Sequence, residues 1–290
     1  MIGSMEPLQS NPPGAPQTTP REPAPGRLPA EQLTPLRAEQ ILQEKLYTRR
    51  HLSAALPLDL KEGAVLPFYK PLDWTSFDLV NKFRYAARTA TGHRKIKVGH
   101  AGTLDPKACG VMLLCSGKCT KISDLLMGHT KQYVATLQLG VTTPSYDAEH
   151  QPDAYYPARH ITRGMIEALL PRFVGHQSQV PPVYSAVSVN GSRAYKSARR
   201  GKNIDIPPKQ IYIADITLLS WEAPFLTLQV TCGRGTYIRA LARDIGRALG
   251  SGAYLTALER TQVGSVSAAD CFRLEELPRL MQLVPPPQES

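Results

Sequence analysis

The stretch "KVGHAGTLDPKACGV", Lys97–Val111, decides how the chain is read. It is too polar and Gly-rich for a core strand, yet it runs into "GVMLLCSGKCT", Gly110–Thr120, which has the apolar pattern of a buried strand. Gly99, Gly102 and Gly110 let the backbone turn tightly on both sides, while Pro106 pushes the preceding Asp105 towards extended backbone. A single carboxylate is thus presented from a loop that feeds the core, with His100 five residues before it. An Asp-Pro pair can also do no more than open a turn.

Working outward, "AVLPFYKP" ends a short apolar strand at Pro71, and Thr75 or Ser76 caps a helix whose Phe77, Val80, Phe83 and Ala87 recur at helical spacing on one face. A helix is expected from Thr120. "QYVATLQLG", Gln132–Gly140, alternates as a strand, and a capped helix follows Thr162 until Pro171 ends or kinks it. "VYSAVSVNG" and "KQIYIADITLLSWEAPFLTLQVTCG" supply at least three more strands, the last two joined at "EAP". The helix "TYIRALARDIGRALG" precedes a final strand near Gln262–Val266. Strands outnumber helices and often follow one another, which predicts an α+β fold with a large mixed, mainly antiparallel sheet and flanking helices.

Upstream, Met1–Leu36 is rich in proline and poor in large apolar side chains, so it cannot offset its ordering entropy. Residues 1–60 are read as a disordered tail with a short helix near Ala38–Tyr47, and residues 61–290 as one folded domain, beginning near Gly63. No run of about 18 apolar residues and no secretory h-region occurs, which predicts a cytoplasmic protein without a membrane span. The five cysteines, Cys109, Cys115, Cys119, Cys232 and Cys271, have no metal-ligand spacing and read as buried free thiols. The 34 Lys and Arg against 24 Asp and Glu leave a net charge of +10, which suits a polyanionic partner.

"GHAGTLDPKACGV" and four further segments together resemble the TruB family of tRNA pseudouridine synthases. These segments are "YKPLDWTSFDLVNKFR" from Tyr69, "KQYVATLQLGVTTPSYDAEH" from Lys131, "QVPPVYSAVSVNGSRAYKSARRG" from Gln179, and "CGRGTYIRALARDIGRALGSGAYLTALERTQVG" from Cys232. They occur in the family's order and span about Val65–Leu277. The resemblance implies the pseudouridine synthase fold and no cofactor or metal. It implies that Asp105 is the catalytic carboxylate, acting as nucleophile at C1′ or as base towards the 2′ proton. It assigns Tyr133 to stacking on the target base and removing its C5 proton, and Arg239 to an ion pair that orients Asp105.

The same resemblance places Tyr237 and Leu258 beside the substrate base, and gives His100 the place of a flipped nucleotide in the stack. Lys70 and Pro71 become structural support under the loop, and Asp147 an acidic residue that holds the site's architecture. Read on residues alone, Tyr133 and Leu258 are ordinary core side chains, Asp147 is a turn residue, and Arg239 lies on a solvated stripe with Arg243 and Arg247. Arg193, Lys196, Arg199 and Arg200, interleaved with Tyr195, suit phosphates along an RNA stem, as do His93, Arg94, Lys95 and Lys97.

Asp73 stands where the family commonly has glycine, and Lys107 and Cys109 stand where it has an apolar and a small hydroxyl residue. The chain stops soon after "LEELPRL", Leu274–Leu280, which predicts a version without the family's C-terminal PUA domain. The implied activity is isomerisation of a T-loop uridine of tRNA, the family's position 55, by a monomer whose partner is the T-arm. A noncatalytic RNA-binding or tRNA-folding protein on the same scaffold is the alternative; a metal-dependent hydrolase using His100 and Asp105 lacks further ligands.

Overall fold

The computed structural model describes residues 35–93, 95–185, 188–189, 192–193 and 205–286, with backbone only at 35–38, 188–189 and 192–193. The helices are α1 (Pro35–Lys45), α2 (Arg49–Ser53), α3 (Ser76–Thr91), α4 (Ser123–Leu126), α5 (Arg163–Leu169), α6 (Ile238–Ala248) and α7 (Leu277–Met281). The strands are β1 (Val65–Lys70), β2 (Val98–His100), β3 (Cys109–Ser116), β4 (Lys131–Leu139), β5 (Val141–Thr142), β6 (Ala154–Tyr155) and β7 (Gly175–Gln179). They continue with β8 (Ser188–Val189), β9 (Ser192–Arg193), β10 (Lys209–Glu222), β11 (Phe225–Cys232), β12 (Ala253–Val263) and β13 (Val266–Ser267). No helix among the described residues is long and apolar enough to cross a membrane.

One sheet organises the molecule, in the order β1-β3-β12-β4-β11-β10-β7, with β2 alongside β3 and β13 alongside β12. All its pairings are antiparallel except β12 with β3. This is the mainly antiparallel α+β sheet that the strand-rich pattern predicts. β3 shows why an apolar run marks a strand buried on both faces. Met112 and Leu114 pack under α3 and α7, while Val111, Leu113 and Cys115 face Leu42, Ile122 and Val263 on the other side. β4 alternates buried and half-buried, and its inner residues Ala135 and Leu137 meet Leu241 and Ile245 of α6.

Several expectations need correcting. The folded body starts before residue 61, because Leu42, Tyr47, Leu52, Leu58 and Leu60 are buried in two of the three core clusters. Tyr47 donates its N–H to the Val65 carbonyl (2.8 Å), and Arg49 pairs with Glu276 (2.7 Å). Those five large side chains follow no regular spacing, so periodicity hides them. In α3, Thr75 is the cap, its hydroxyl accepting from the Asp78 N–H (3.0 Å). Phe77 is 64% exposed, because the buried Ser76 takes its place on the inner face with Leu79, Val80, Phe83 and Ala87. The region from Thr120 is a 3₁₀ turn, Gly117–Ile122, that passes into the short α4. β12, expected only near residue 262, is an eleven-residue central strand. Its bulges after Leu255 and Arg260 break the alternation that would have revealed it.

The outer edge of β1 is occupied by single residues from before and after the sheet. Besides Tyr47 at Val65, Phe272 accepts at its carbonyl from the Tyr69 N–H (2.9 Å) and donates its N–H to the Pro67 carbonyl (2.8 Å).

Candidate active site

The loop between β2 and β3 is tied down at every turn. Gly102 and Gly110 sit at φ +108° and +111°, a region that side chains avoid. At Gly110 a Cβ would also lie 2.2 Å from the Arg260 carbonyl oxygen across the β3–β12 seam. The Leu104 N–H donates to the Ser76 hydroxyl (2.8 Å), which donates back to the Leu104 carbonyl (2.9 Å). Asp73 donates its N–H to the Pro106 carbonyl (2.9 Å), and its carboxylate pairs with Lys107 at 2.7 Å. Two of the three departures from the family pattern, Asp73 and Lys107, therefore contact each other.

Asp105 projects from this loop to Arg239 in the first turn of α6. Arg239 Nη2 donates to Asp105 Oδ1 (3.0 Å), and Nε lies 2.9 Å from Oδ2. The Nε contact is off the N–H direction, so it is an ion pair and not an aligned hydrogen bond. The guanidinium also donates to the carbonyls of Ser145 (3.2 Å) and Tyr184 (3.0 Å) and lies 3.5 Å from Asp147 Oδ2. Asp147 is buried, and its Oδ1 accepts from the Ser145 hydroxyl (2.5 Å) and the Glu149 N–H (3.0 Å). Arg239 is thus held between two carboxylates, its side chain 5% exposed while that of Asp105 is 36% exposed. Neither Arg239 nor Arg243 lies on a solvated stripe; of that helical row only Arg247 is exposed.

Asp105, Arg239, Tyr133, Tyr237 and Leu258 line one cleft of about 280 Å³. Tyr133 and Leu258 come from the neighbouring strands β4 and β12, so the sheet itself forms a wall of the cleft. Burial pushes the Tyr133 and Tyr237 phenols above the usual tyrosine range. Tyr237 opens α6 and is clamped by Gln179, which accepts from its N–H (2.9 Å) and donates to its carbonyl (3.1 Å).

Among the lining residues that the sequence reading did not single out are Arg260 and Lys131. Arg260 is 1% exposed and donates to the carbonyls of Val111 (2.6 Å), Gly102 (3.1 Å) and Thr103 (3.4 Å). The signal for it was its spacing of two from Leu258, which puts both on one face of β12. Lys131 donates to the Met127 and His129 carbonyls, and burial lowers its amine to about 8.

The remaining expected residues lie around this cleft. Lys70 is fully buried and donates to the carbonyls of Pro71 (2.8 Å) and Trp74 (2.6 Å), bracing the turn that holds Asp73 and Ser76. Burial lowers its amine to about 8. His100 is on β2 and does not line the cleft; its Nδ1 is buried without a partner, and burial with Arg260 nearby lowers its basicity. Lys196, Arg199 and Arg200 lie outside the described residues, as do Arg94 and the side chain of Arg193. His93, Lys95 and Lys97 line a separate basic cleft with Lys61 and Lys118. All five cysteines are free thiols, but Cys109 is only half-buried, within reach of the Tyr69 hydroxyl at 3.3 Å.

Among the described residues one group could converge on a metal, Asp147, Glu149 and His150, with ligand atoms within 4.8 Å of one another. The Arg239 guanidinium beside Asp147 opposes a cation there, and Asp147 and His150 both engage the Ser145 hydroxyl.

Two family profiles match consecutive parts of the chain. One, "TruB family pseudouridylate synthase (N terminal domain)", matches residues 88–238, and "tRNA pseudouridylate synthase B C-terminal domain" matches residues 239–285. The chain belongs to the TruB family of pseudouridylate synthases. It is therefore an enzyme of the isomerase class that turns uridine into pseudouridine. The TruB relative from Phocaeicola vulgatus, called tRNA pseudouridine synthase B, is 54% identical over 221 residues, 76% of this chain and 94% of its own length. The protein of the same name from Flavobacterium johnsoniae is 43% identical over 76% of this chain and 98% of its own. In the solved structure "Crystal Structure of a Cbf5-Nop10-Gar1 Complex" a chain matches 75% of this one with a TM-score of 0.57 and 26% identity. The TruB-family chain described here spans 54% of that longer chain.

Proposed function

We propose that this TruB-family chain isomerises a T-loop uridine of tRNA, at the family's position 55, with Asp105 as the group that attacks C1′ or removes the 2′ proton. The observation that carries the reading is the ion pair of Arg239 with Asp105 in the cleft that Tyr133 also lines. A fixed guanidinium aims one carboxylate oxygen, which both forms of the chemistry require. The roughly 280 Å³ cleft accepts a single base and not a duplex, so the nucleotide must leave its stack. Tyr133 and Leu258 then offer that base an aromatic and an apolar face.

The excess of ten positive charges, and the basic cleft at Lys61, Lys95, Lys97 and Lys118, suit the phosphates of a folded RNA. In this reading the reaction proceeds without cofactor or metal, in a monomer.

Release of tritium from tRNA labelled at uridine C5 tests the reading. The wild type should release it in the presence of a metal chelator, and a transcript with cytidine at the target position should release none from that site. Asp105→Asn should bind tRNA within about threefold of the wild type and lose at least about a thousandfold in turnover, because the amide keeps the shape and loses the reactive oxygen. Unchanged release by the variant would point to the noncatalytic alternative or to another catalytic group.

A further inference from the structure

Arg260 has a charge that nothing around it balances. Its guanidinium donates to the carbonyls of Gly102, Thr103 and Val111 and reaches the Tyr133 phenol, and among the described residues no carboxylate pairs with it. The nearest acid in the site, Asp105, is already engaged by Arg239. An unpaired cation in the core is costly, and these carbonyls could be held by neutral donors instead. Its position is equally specific. Arg260 is the register partner of Tyr133 across β12 and β4, so the two side chains share a sheet face, and both line the cleft with Leu258.

We infer that Arg260 is a positioning residue of the reaction: held under the loop and beside Tyr133, it supplies the positive field that stabilises the detached uracil as an anion. The inference rests on the uridine isomerisation proposed above. When the C1′–N1 bond breaks, its electron pair stays on the base, and the negative charge spreads over N1, O2 and O4. The Asp105 carboxylate compensates at the sugar, by bonding to C1′ or by taking the 2′ proton. Formation of the C5–C1′ bond, loss of the C5 proton and protonation at N1 then discharge the anion and return Asp105 to its starting state. Between those events the anion needs a cation close to the cleft floor, and a preorganised, desolvated one acts without reorientation. The Tyr133 phenol lies in the same field, which opposes the upward push of its burial.

The test compares a T-arm RNA carrying uridine with one carrying 5-fluorouridine at the target. Fluorine stabilises the departing base as an anion, so it substitutes in part for the cation. Single-turnover loss of the target nucleoside is followed for each. Arg260→Met should slow uridine cleavage by about 100-fold and fluorouridine cleavage by no more than about 10-fold, with RNA affinity unchanged. A loop merely misplaced would slow both alike, so a ratio equal to that of the wild type overturns the inference. Arg260→Gln, neutral but able to donate to a carbonyl, is read in the same way if Arg260→Met does not fold. Arg260→Lys keeps the charge and should hold the wild-type ratio; a ratio shifted as far as that of Arg260→Gln also overturns it. An inactive wild type would instead sink the proposed isomerisation.

Discussion

Arg239 and Arg260 are both buried in the wall of one cleft, and they are kept there by opposite means. Arg239 lies between two carboxylates, Asp105 and Asp147, so its charge is answered within one side-chain length. Arg260 is held by three carbonyls and by no acid among the described residues. The difference separates two tasks that charge performs in a site. A matched cation fixes the direction of a reactive group, whereas an unmatched one sets the potential of the space beside it. Lys131 falls on the second side, a buried ammonium whose partners are also carbonyls.

The sharpest way to break this contrast is Arg239→Lys. The ammonium keeps the charge and loses the fork, so Asp105 is no longer aimed; turnover should fall by about 100- to 1,000-fold with RNA affinity within about threefold of the wild type. An equal loss of affinity, measured by filter binding, would show that Arg239 serves the RNA and not the carboxylate.

Gly110→Ala attacks the seat of Arg260, because the new Cβ meets the Arg260 carbonyl and the backbone sits at φ +111°. Chemical denaturation should show a loss of at least about 2 kcal/mol. A variant of unchanged stability would mean that the seam can spread. Lys131→Met tests the unmatched side through pH. The folded amine titrates near 8 and the free one near 10.5, so below pH 8 the penalty of burying the charge is fully present. Between those values the unfolded chain binds more protons, and stability rises with pH. The wild type should therefore gain on the variant from pH 8 to 10, by about 1–3 kcal/mol; parallel curves would remove Lys131 from the unmatched set. The smallest effect is expected from deleting residues 1–34, which should leave melting temperature and turnover unaltered. A loss of either would show that this segment touches the body.

How far the sequence carries a reader depends on whether neighbours in the chain are neighbours in space. Asp105 was legible because its glycines, its proline and the strand that follows lie within one short stretch. β4 was legible because strict alternation survives along its whole length. Arg260 was not, since its three partners are about 150 positions away and two bulges scramble the pattern of its own strand. The pairing of Asp105 with Arg239 came from resemblance to a family, for no local rule joins residues 134 positions apart. The buried part of residues 42–60 was missed for a related reason. Its apolar side chains have no period because they are divided between two core clusters, Leu42 beside β1 and β3 and the others beside α3 and α7.

The way Tyr47 and Phe272 lie along β1 has a consequence for handling the protein. A sheet margin with free amides and carbonyls is an invitation to add strands from other molecules. Here Tyr47 and Phe272 answer the invitation in advance, satisfying Val65, Pro67 and Tyr69 with single residues that offer no further ladder. Trimming the chain to start at residue 61 would keep every cleft residue and still leave that margin half bare, so the shortened enzyme should self-associate as its concentration rises.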